Sequence, residues 1–157
     1  MAARPNIFVG ANAERSRNHN RQVVLDHVRT AGEIGRDDIA RASGLSTQAV
    51  SNIIANLLED ALIVEQGRRA SARGQPPVQY SLNPKGGYAI GIEIRPDAVI
   101  AAILDLCGRP VASARHVVPA TDRESLTRSV LEVTEGVKAK ANVPASRILG
   151  AGIVMPG

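Results

Sequence analysis

The run Ile39-Ala40-Arg41-Ala42-Ser43-Gly44-Leu45-Ser46-Thr47-Gln48-Ala49-Val50-Ser51-Asn52-Ile53-Ile54 reads as two short helices joined by a tight turn at Ser43-Gly44-Leu45. The second of these helices pairs an apolar stripe with an outward polar face of Gln48, Ser51 and Asn52. A helix-turn-helix presents hydrogen-bonding side chains to the major groove of DNA in this way.

Working outward, Ser46 is a good N-cap for that helix. Leu45 before it can pack back on Val50 as a hydrophobic staple. Val50, Ile53, Ile54, Leu57 and Leu58 repeat at helical spacing and form one apolar face. The opposite face carries Gln48, Ser51, Asn52 and Asn56, with no charge until Glu59. Gln48 and Asn52 stand one turn apart, so both can reach base edges, and such amides pair in a bidentate way with adenine N6 and N7. The competing reading is a pair of ordinary solvent-facing amides. Ser51 suits a base or a phosphate. Ser46 and Thr47, at a helix N-terminus with free backbone N–H groups, suit a phosphate. Arg36 opens the preceding helix, expected over residues 36–43, and is placed as a phosphate clamp. Asp37 and Asp38 lie in its first turn, where carboxylates favour the helix dipole.

Residues 1–18 are polar with little periodicity and are expected to form a flexible arm. A first helix is predicted over about residues 20–30, with Val24, Leu25 and Val28 on one face and Gly32 at its end. Downstream, residues 62–65 and 78–82 read as two strands. The loop between them is rich in Gly, Pro and Arg. Arg68, Arg69, Arg73 and Gly74 would form the basic tip of a wing, and a glycine-flanked arginine can lie in a narrow A·T-rich minor groove. A winged helix-turn-helix is therefore expected over residues 19–82, followed by a linker at 83–87.

The second half reads β-β-β-α-β. Strands are expected at residues 88–94, 98–106, about 110–118 and 148–154. Thr121-Asp122-Arg123-Glu124 has the form of a capping box. It would open a helix with Leu126, Val130, either Val133 or Thr134, and Val137 turned inward. Four strands and one helix are few for an independent core. Residues 88–157 are thus expected to be the front part of a larger domain.

Composition narrows the field. The chain has 157 residues, 44% hydrophobic, with a formal net charge of +4. Aromatics are 2%, which requires an aliphatic core and disfavours stacking on single-stranded nucleic acid. The excess positive charge suits a polyanionic partner only mildly. Residues 1–82 carry Arg but no Lys, and Arg makes bidentate contacts with phosphate and guanine. The single cysteine, Cys107, excludes an internal disulfide and a multi-cysteine metal site, and a buried inert thiol is the expectation. His19, His27 and His116 lack ligand-spaced partners, and no nucleophile elbow or Walker A loop occurs. No apolar run approaches a bilayer span and no signal peptide is evident, so a cytoplasmic protein without membrane partners is expected.

Several motifs, taken in order, resemble the ROK family (repressor, open reading frame, kinase) of bacterial transcriptional regulators. They are Gly35-Arg36-Asp37-Asp38-Ile39-Ala40, Gly44-Leu45-Ser46, Val50-Ser51, Arg73-Gly74-Gln75-Pro76-Pro77 and Leu82-Asn83-Pro84. The likeness continues through Ala89-Ile90-Gly91-Ile92-Glu93-Ile94 and Ile103-Leu104-Asp105-Leu106-Cys107-Gly108, and ends at Gly150-Ala151-Gly152-Ile153-Val154-Met155-Pro156-Gly157.

This resemblance implies an α+β or α/β chain: a winged helix-turn-helix followed by the first part of an actin-like ATPase (ribonuclease H-like) domain. Family kinases carry Asp-x-Gly-Gly-Thr after the first strand of that domain. Here Glu93-Ile94-Arg95-Pro96-Asp97 stands in its place, without the glycines that let a backbone approach phosphate. Pro156 and Gly157 would border the family's sugar pocket, here incomplete. The family's Cys-rich zinc motif is absent from this chain, so no cofactor is expected. Gln75 stands where many members have Arg.

The expected function is a DNA-binding transcriptional regulator, a repressor of sugar-utilisation genes and not an enzyme. It would act on an A·T-rich inverted repeat as a homodimer, weakened if the chain is truncated, with a sugar effector in full-length relatives. The competing classes are a ROK-type sugar kinase with an accessory domain and a winged-helix protein-interaction module.

Overall fold

The computed structural model describes residues 8–68, 77–118, 120 and 122–155, with residues 8–12 and 68 described by backbone alone. The chain divides into two compact units, Met1–Leu82 and Asn83–Gly157.

The first unit is built on three helices. Helix α1 spans Phe8–Ala31, α2 spans Arg36–Ser43 and α3 spans Thr47–Glu59. Val24 and Val28 of α1, Ile39 of α2, and Val50, Ile54 and Leu57 of α3 converge on one buried cluster. Leu45, Ile53 and Leu58 pack around it, which places the expected stripe and staple. Helices α1 and α2 each stop at a glycine. Gly32 closes α1 at φ +76°, its N–H donating to the Val28 carbonyl at 3.1 Å. Gly44 closes α2 at φ +70°, donating to Ala40 at 3.0 Å. No atom would obstruct a side chain at Gly44, so its left-handed backbone is what calls for glycine there.

Strand β1 is the two-residue Ile34–Gly35, β2 spans Ile63–Arg68 and β3 spans Val78–Leu82. They form an antiparallel sheet in the order β1-β3-β2. Sequence periodicity cannot find β1, because two residues carry no alternation. It exists because Ile34 and Gly35 pair with Tyr80 and Gln79 of β3.

The first helix differs from its expectation. It begins at Phe8, not near residue 20, so the flexible arm expected at residues 1–18 is helical from residue 8 onward. The segment lacks apolar periodicity but also lacks Gly and Pro from residue 11 to 31, and nothing in that run breaks a helix already nucleated downstream.

The second unit has strands β4 Tyr88–Ile94, β5 Ala98–Asp105, β6 Pro110–Val117 and β7 Ile148–Val154, with helix α4 at Arg123–Ala141. The sheet order is β6-β5-β4-β7. Its three β4–β6 strands pair antiparallel, and β7 joins β4 in parallel after the α4 crossover. Ile90, Ile92, Val99, Ala101 and Ile103 meet Val133 and Val137 of α4 in the core. Val133, not Thr134, is the inward residue; the Thr134 hydroxyl donates to the Val130 carbonyl at 2.6 Å.

Three further expectations change here. The capping residue of α4 is Asp122, whose Oδ1 accepts from the N–H groups of Glu124 and Ser125 at 3.1 and 3.0 Å. The Glu124 carboxylate pairs forward with Arg128 at 2.9 Å, so the reciprocal half of a capping box is not made. Cys107 is exposed, because the strand ends at Asp105 and Cys107 sits in the turn that Asp105 Oδ1 closes by accepting from its N–H at 2.9 Å. The 83–87 linker is an ordered 3-10 turn at Pro84–Gly86 capped by Asn83, and it packs with the second unit through Leu106 N–H to Pro84 carbonyl at 3.2 Å. No helix among the described residues is long and apolar enough to cross a membrane.

Candidate nucleic-acid interface

Ser46 sets the start of α3. Its backbone is extended at φ −65° and ψ 149°, and its Oγ accepts from the Ala49 N–H at 3.2 Å. One orphan donor of the first turn is thereby satisfied, and the helix points its positive end outward at this cap. The Ser46 hydroxyl keeps its proton free to donate. Thr47 follows as the first helical residue, exposed.

Gln48 and Asn52 project from the same exposed face. Gln48 Nε2 donates to Asn52 Oδ1 at 3.1 Å. This bond leaves the Gln48 carbonyl oxygen and the Asn52 amide N–H groups turned to solvent, an acceptor and donors one helical turn apart. Ser51, half-buried, donates to the Thr47 carbonyl at 2.8 Å and retains its lone pairs. The buried stripe on the other side of α3 fixes its rotation, because turning the helix would expose Val50 and Leu57, both fully buried.

Arg36 opens α2 on the exposed side of the unit. Its guanidinium makes only a long contact with Asp37 at 3.5 Å. It also lies near Tyr80 of β3, whose hydroxyl pKa is raised chiefly by burial, with the Glu65 carboxylate adding to the rise and Arg36 opposing it. Arg41, by contrast, is paired with Asp38 at 2.8 Å.

The β2–β3 hairpin belongs to the same unit, with Ile63, Tyr80 and Leu82 packed on its core. Gln66 Nε2 donates to Ser81 Oγ at 2.7 Å across it, and Gly67 takes φ +86° where the register shifts between Glu65 and Arg68. Arg68 ends β2; its side chain is not described. Arg69, Arg73 and Gly74, expected at the wing tip, lie outside the described residues, as do Pro156 and Gly157 of the expected effector pocket. Of the ten expected DNA-binding residues, Thr47, Gln48, Ser51 and Asn52 lie on α3 with Ser46 as its cap, and Arg36 opens the preceding helix.

Sequence reasoning missed a groove of about 570 Å³ between α1 and α3. Asn52 and Asn56 of α3 and Arg17, Asn18 and Arg21 of α1 line it. The signal that could have revealed it is the polar continuation of the Val24–Val28 face toward the N-terminus of α1, at Arg21, Arg17 and Glu14.

In the second unit, the turn between β4 and β5 is closed by an ion pair. The Arg95 guanidinium donates to both Glu93 carboxylate oxygens, at 2.9 and 3.1 Å, and Arg95 N–H donates to the Ala98 carbonyl at 2.8 Å. That pair raises the Arg95 pKa further, the hydrogen bond to Glu93 contributing most. Asp97 is paired with Arg115 at 2.7 Å. Among the described residues no cluster of His, Cys, Asp or Glu could hold a metal ion.

No protein-family profile matches the chain. It is 25% identical over 138 residues to the xylose repressor of Bacillus spizizenii, covering 88% of this chain and 36% of that protein. It is 28% identical over 139 residues to the xylose repressor of Caldicellulosiruptor bescii, covering 88% of this chain and 35% of that one. The chain thus spans about a third of the length of the curated relatives it matches. Among solved structures, a ROK family transcriptional regulator, a homolog of the E. coli MLC protein, matches with a TM-score of 0.68 at 21% identity. That match covers 88% of this chain and 35% of the other and is a likeness of fold.

Proposed function

This chain is a relative of the ROK-family transcriptional regulators, and on that premise we propose that it is a sequence-specific double-stranded DNA-binding repressor of sugar-utilisation genes. The observation that carries the proposal is the exposed Gln48–Asn52 amide pair, joined at 3.1 Å on a capped helix whose other face is locked into the core. An exposed helix with a fixed rotation and an uncharged, hydrogen-bonding face suits the major groove.

In this reading Gln48 and Asn52 contact base edges, and Ser51 a base or a phosphate. Ser46, Thr47 and Arg36 hold phosphate oxygens and set the register of α3. Arg68, Arg69, Arg73 and Gly74 contact backbone or minor groove from the wing. One winged helix buries little surface on DNA, so two copies act on a two-fold operator. The names of the repressor relatives support a sugar effector, with Pro156 and Gly157 bordering its site.

We read the second unit as non-catalytic. Transfer of phosphate needs backbone N–H groups or cations free to meet the nucleotide. Arg95 and Pro96 stand in the β4–β5 turn where the kinases carry glycines, and the Arg95 guanidinium is taken up by Glu93, so neither a bare backbone nor a free cation meets a phosphate there. Incubation with ATP and a panel of sugars should give no turnover; sugar-dependent ATP hydrolysis would instead favour a kinase.

The decisive test is selection of bound duplexes from a random DNA pool. Enrichment of an A·T-rich inverted repeat is expected. Binding with no enriched sequence and only steep salt dependence would reject sequence-specific regulation by this chain.

A further inference from the structure

We propose that the groove between the first half of α1 and α3 holds the phosphodiester backbone of the DNA strand that flanks α3. The first half of α1 then acts as a second DNA-contacting element. This rests on the reading of α3 as the helix that enters the major groove.

The argument starts from one face of α1. Glu14, Arg17, Arg21, Val24 and Val28 follow each other at helical spacing and lie on one side of the helix. Its C-terminal half is apolar and fully buried at Val24 and Val28. Its N-terminal half is polar, and there the two helices leave a groove of about 570 Å³ open between them. A face that merely met solvent would be expected opposite the core. Here the charged residues lie on the core side of α1, facing α3.

The facing stripe on α3 is Ala49, Asn52, Ile53 and Asn56, again at helical spacing. Asn52 is therefore shared between the groove and the proposed base-reading face. A duplex that brings its major groove onto Gln48 and Asn52 carries one sugar–phosphate strand along the flank of α3 that α1 walls.

The chemistry of the lining suits that strand. The amides of Asn18, Asn20, Asn52 and Asn56 supply neutral donors, and Arg17 and Arg21 supply cations. Arg21 is already committed to Asp60 at the C-terminal end of α3, and this ion pair braces α1 against α3. Arg17 is not so committed. Its Nε donates to the Ala13 carbonyl at 3.3 Å, and among the described residues neither Arg17 nor Arg15 has an acidic partner within salt-bridge distance. Glu14 is the one acid on the lining, and it should weaken the binding of a polyanion. Phosphate contacts of this kind position a protein on DNA without reading sequence.

The test uses the full chain and a mixed-sequence duplex of about 30 base pairs, titrated between roughly 50 and 200 mM salt. Arg17→Ala is expected to weaken binding several-fold on every sequence and to flatten the slope of log affinity against log salt by about 1. Arg17→Lys should restore the slope. Glu14→Gln should tighten binding on every sequence. Arg128→Ala, in the second unit, removes the same charge and should leave the slope unchanged.

An Arg17→Ala protein with the parent's slope and affinity would overturn the proposal, as would an Arg128→Ala effect of equal size. Failure of the underlying reading looks different. In that case Gln48→Ala with Asn52→Ala would leave base preference intact whatever Arg17 does.

Discussion

Gln48 and Asn52 stand one turn apart on α3, and the hydrogen bond between them orients both. In the proposed complex each amide would enter the groove already ordered, so less rotamer entropy would be lost on meeting a base. Gln48→Ala or Asn52→Ala is expected to cost about 1–3 kcal/mol at the selected operator and to relax preference at one base pair. Competition against single-mismatch duplexes measures this, and a uniform loss on all of them would assign the pair to phosphate instead. Ser46 acts on the fold itself. Its hydroxyl satisfies the Ala49 N–H at 3.2 Å, and Ser46→Ala should lower the stability of the first unit by about 1 kcal/mol. Denaturant unfolding followed by circular dichroism gives that number directly. Gly44 is a different kind of residue, since its φ of +70° and not its lack of bulk is what the turn needs.

At the scale of elements, α4 and α1 show two ways in which a helix is held. Helix α4 is fixed at its start by Asp122, whose carboxylate accepts two backbone N–H groups. Those bonds, the one from Ser125 foremost, hold its pKa below the ordinary 3.8. A carboxylate with a lowered folded pKa stabilises the folded state above its unfolded pKa, and the contribution fades as pH falls through the folded value. Acidification below about pH 4 should therefore fray the first turn of α4, and Asp122→Asn should make that turn insensitive to the same change. Amide exchange of Glu124 and Ser125 against pH reports it; equal acid sensitivity in the Asn variant would remove Asp122 as the cause. Helix α1 is fixed from its other end, by Val24 and Val28 in the core. Its first half extends beyond that anchor and presents Arg17 and Asn18 to the groove beside α3.

For the whole molecule, the governing fact is two separate cores. One gathers Val24, Val28, Ile39, Val50, Ile54, Leu57 and Ile63; the other gathers residues of β4, β5, β6 and α4. Leu57 is fully buried in the first, and Val137 in the second. Leu57→Ala should destabilise the first unit by about 2–5 kcal/mol, the range for a fully buried leucine. Amide exchange should show protection lost across α1–α3 and β3 with β4 and β5 unchanged. Val137→Ala should give the converse pattern. Loss of protection in both units from either change would mean that they unfold together. The second unit also carries an exposed apolar edge, with Leu149, Ile153, Val154 and Met155 about three-fifths exposed or more.

Much of this molecule is written in local sequence. The turn at Ser43–Leu45, the cap at Ser46 and the stripe from Val50 to Leu58 define α2 and α3, because helix periodicity and capping act over a few residues. The β-β-β-α-β order of the second unit is legible for the same reason, in alternating runs bounded by Gly, Pro and Asp. Other features depend on partners distant in the chain. Strand β1 exists only because β3 pairs with it. The groove beside α3 belongs to this second kind. Arg17 and Asn52 are 35 positions apart in the chain, and no spacing rule joins them. Packing of Val24 and Val28 against α3 brings them together, since a rigid helix anchored at one end must place its other end somewhere. The sequence by itself determined which face of α3 is free to bind; the tertiary structure decided what stands beside that face.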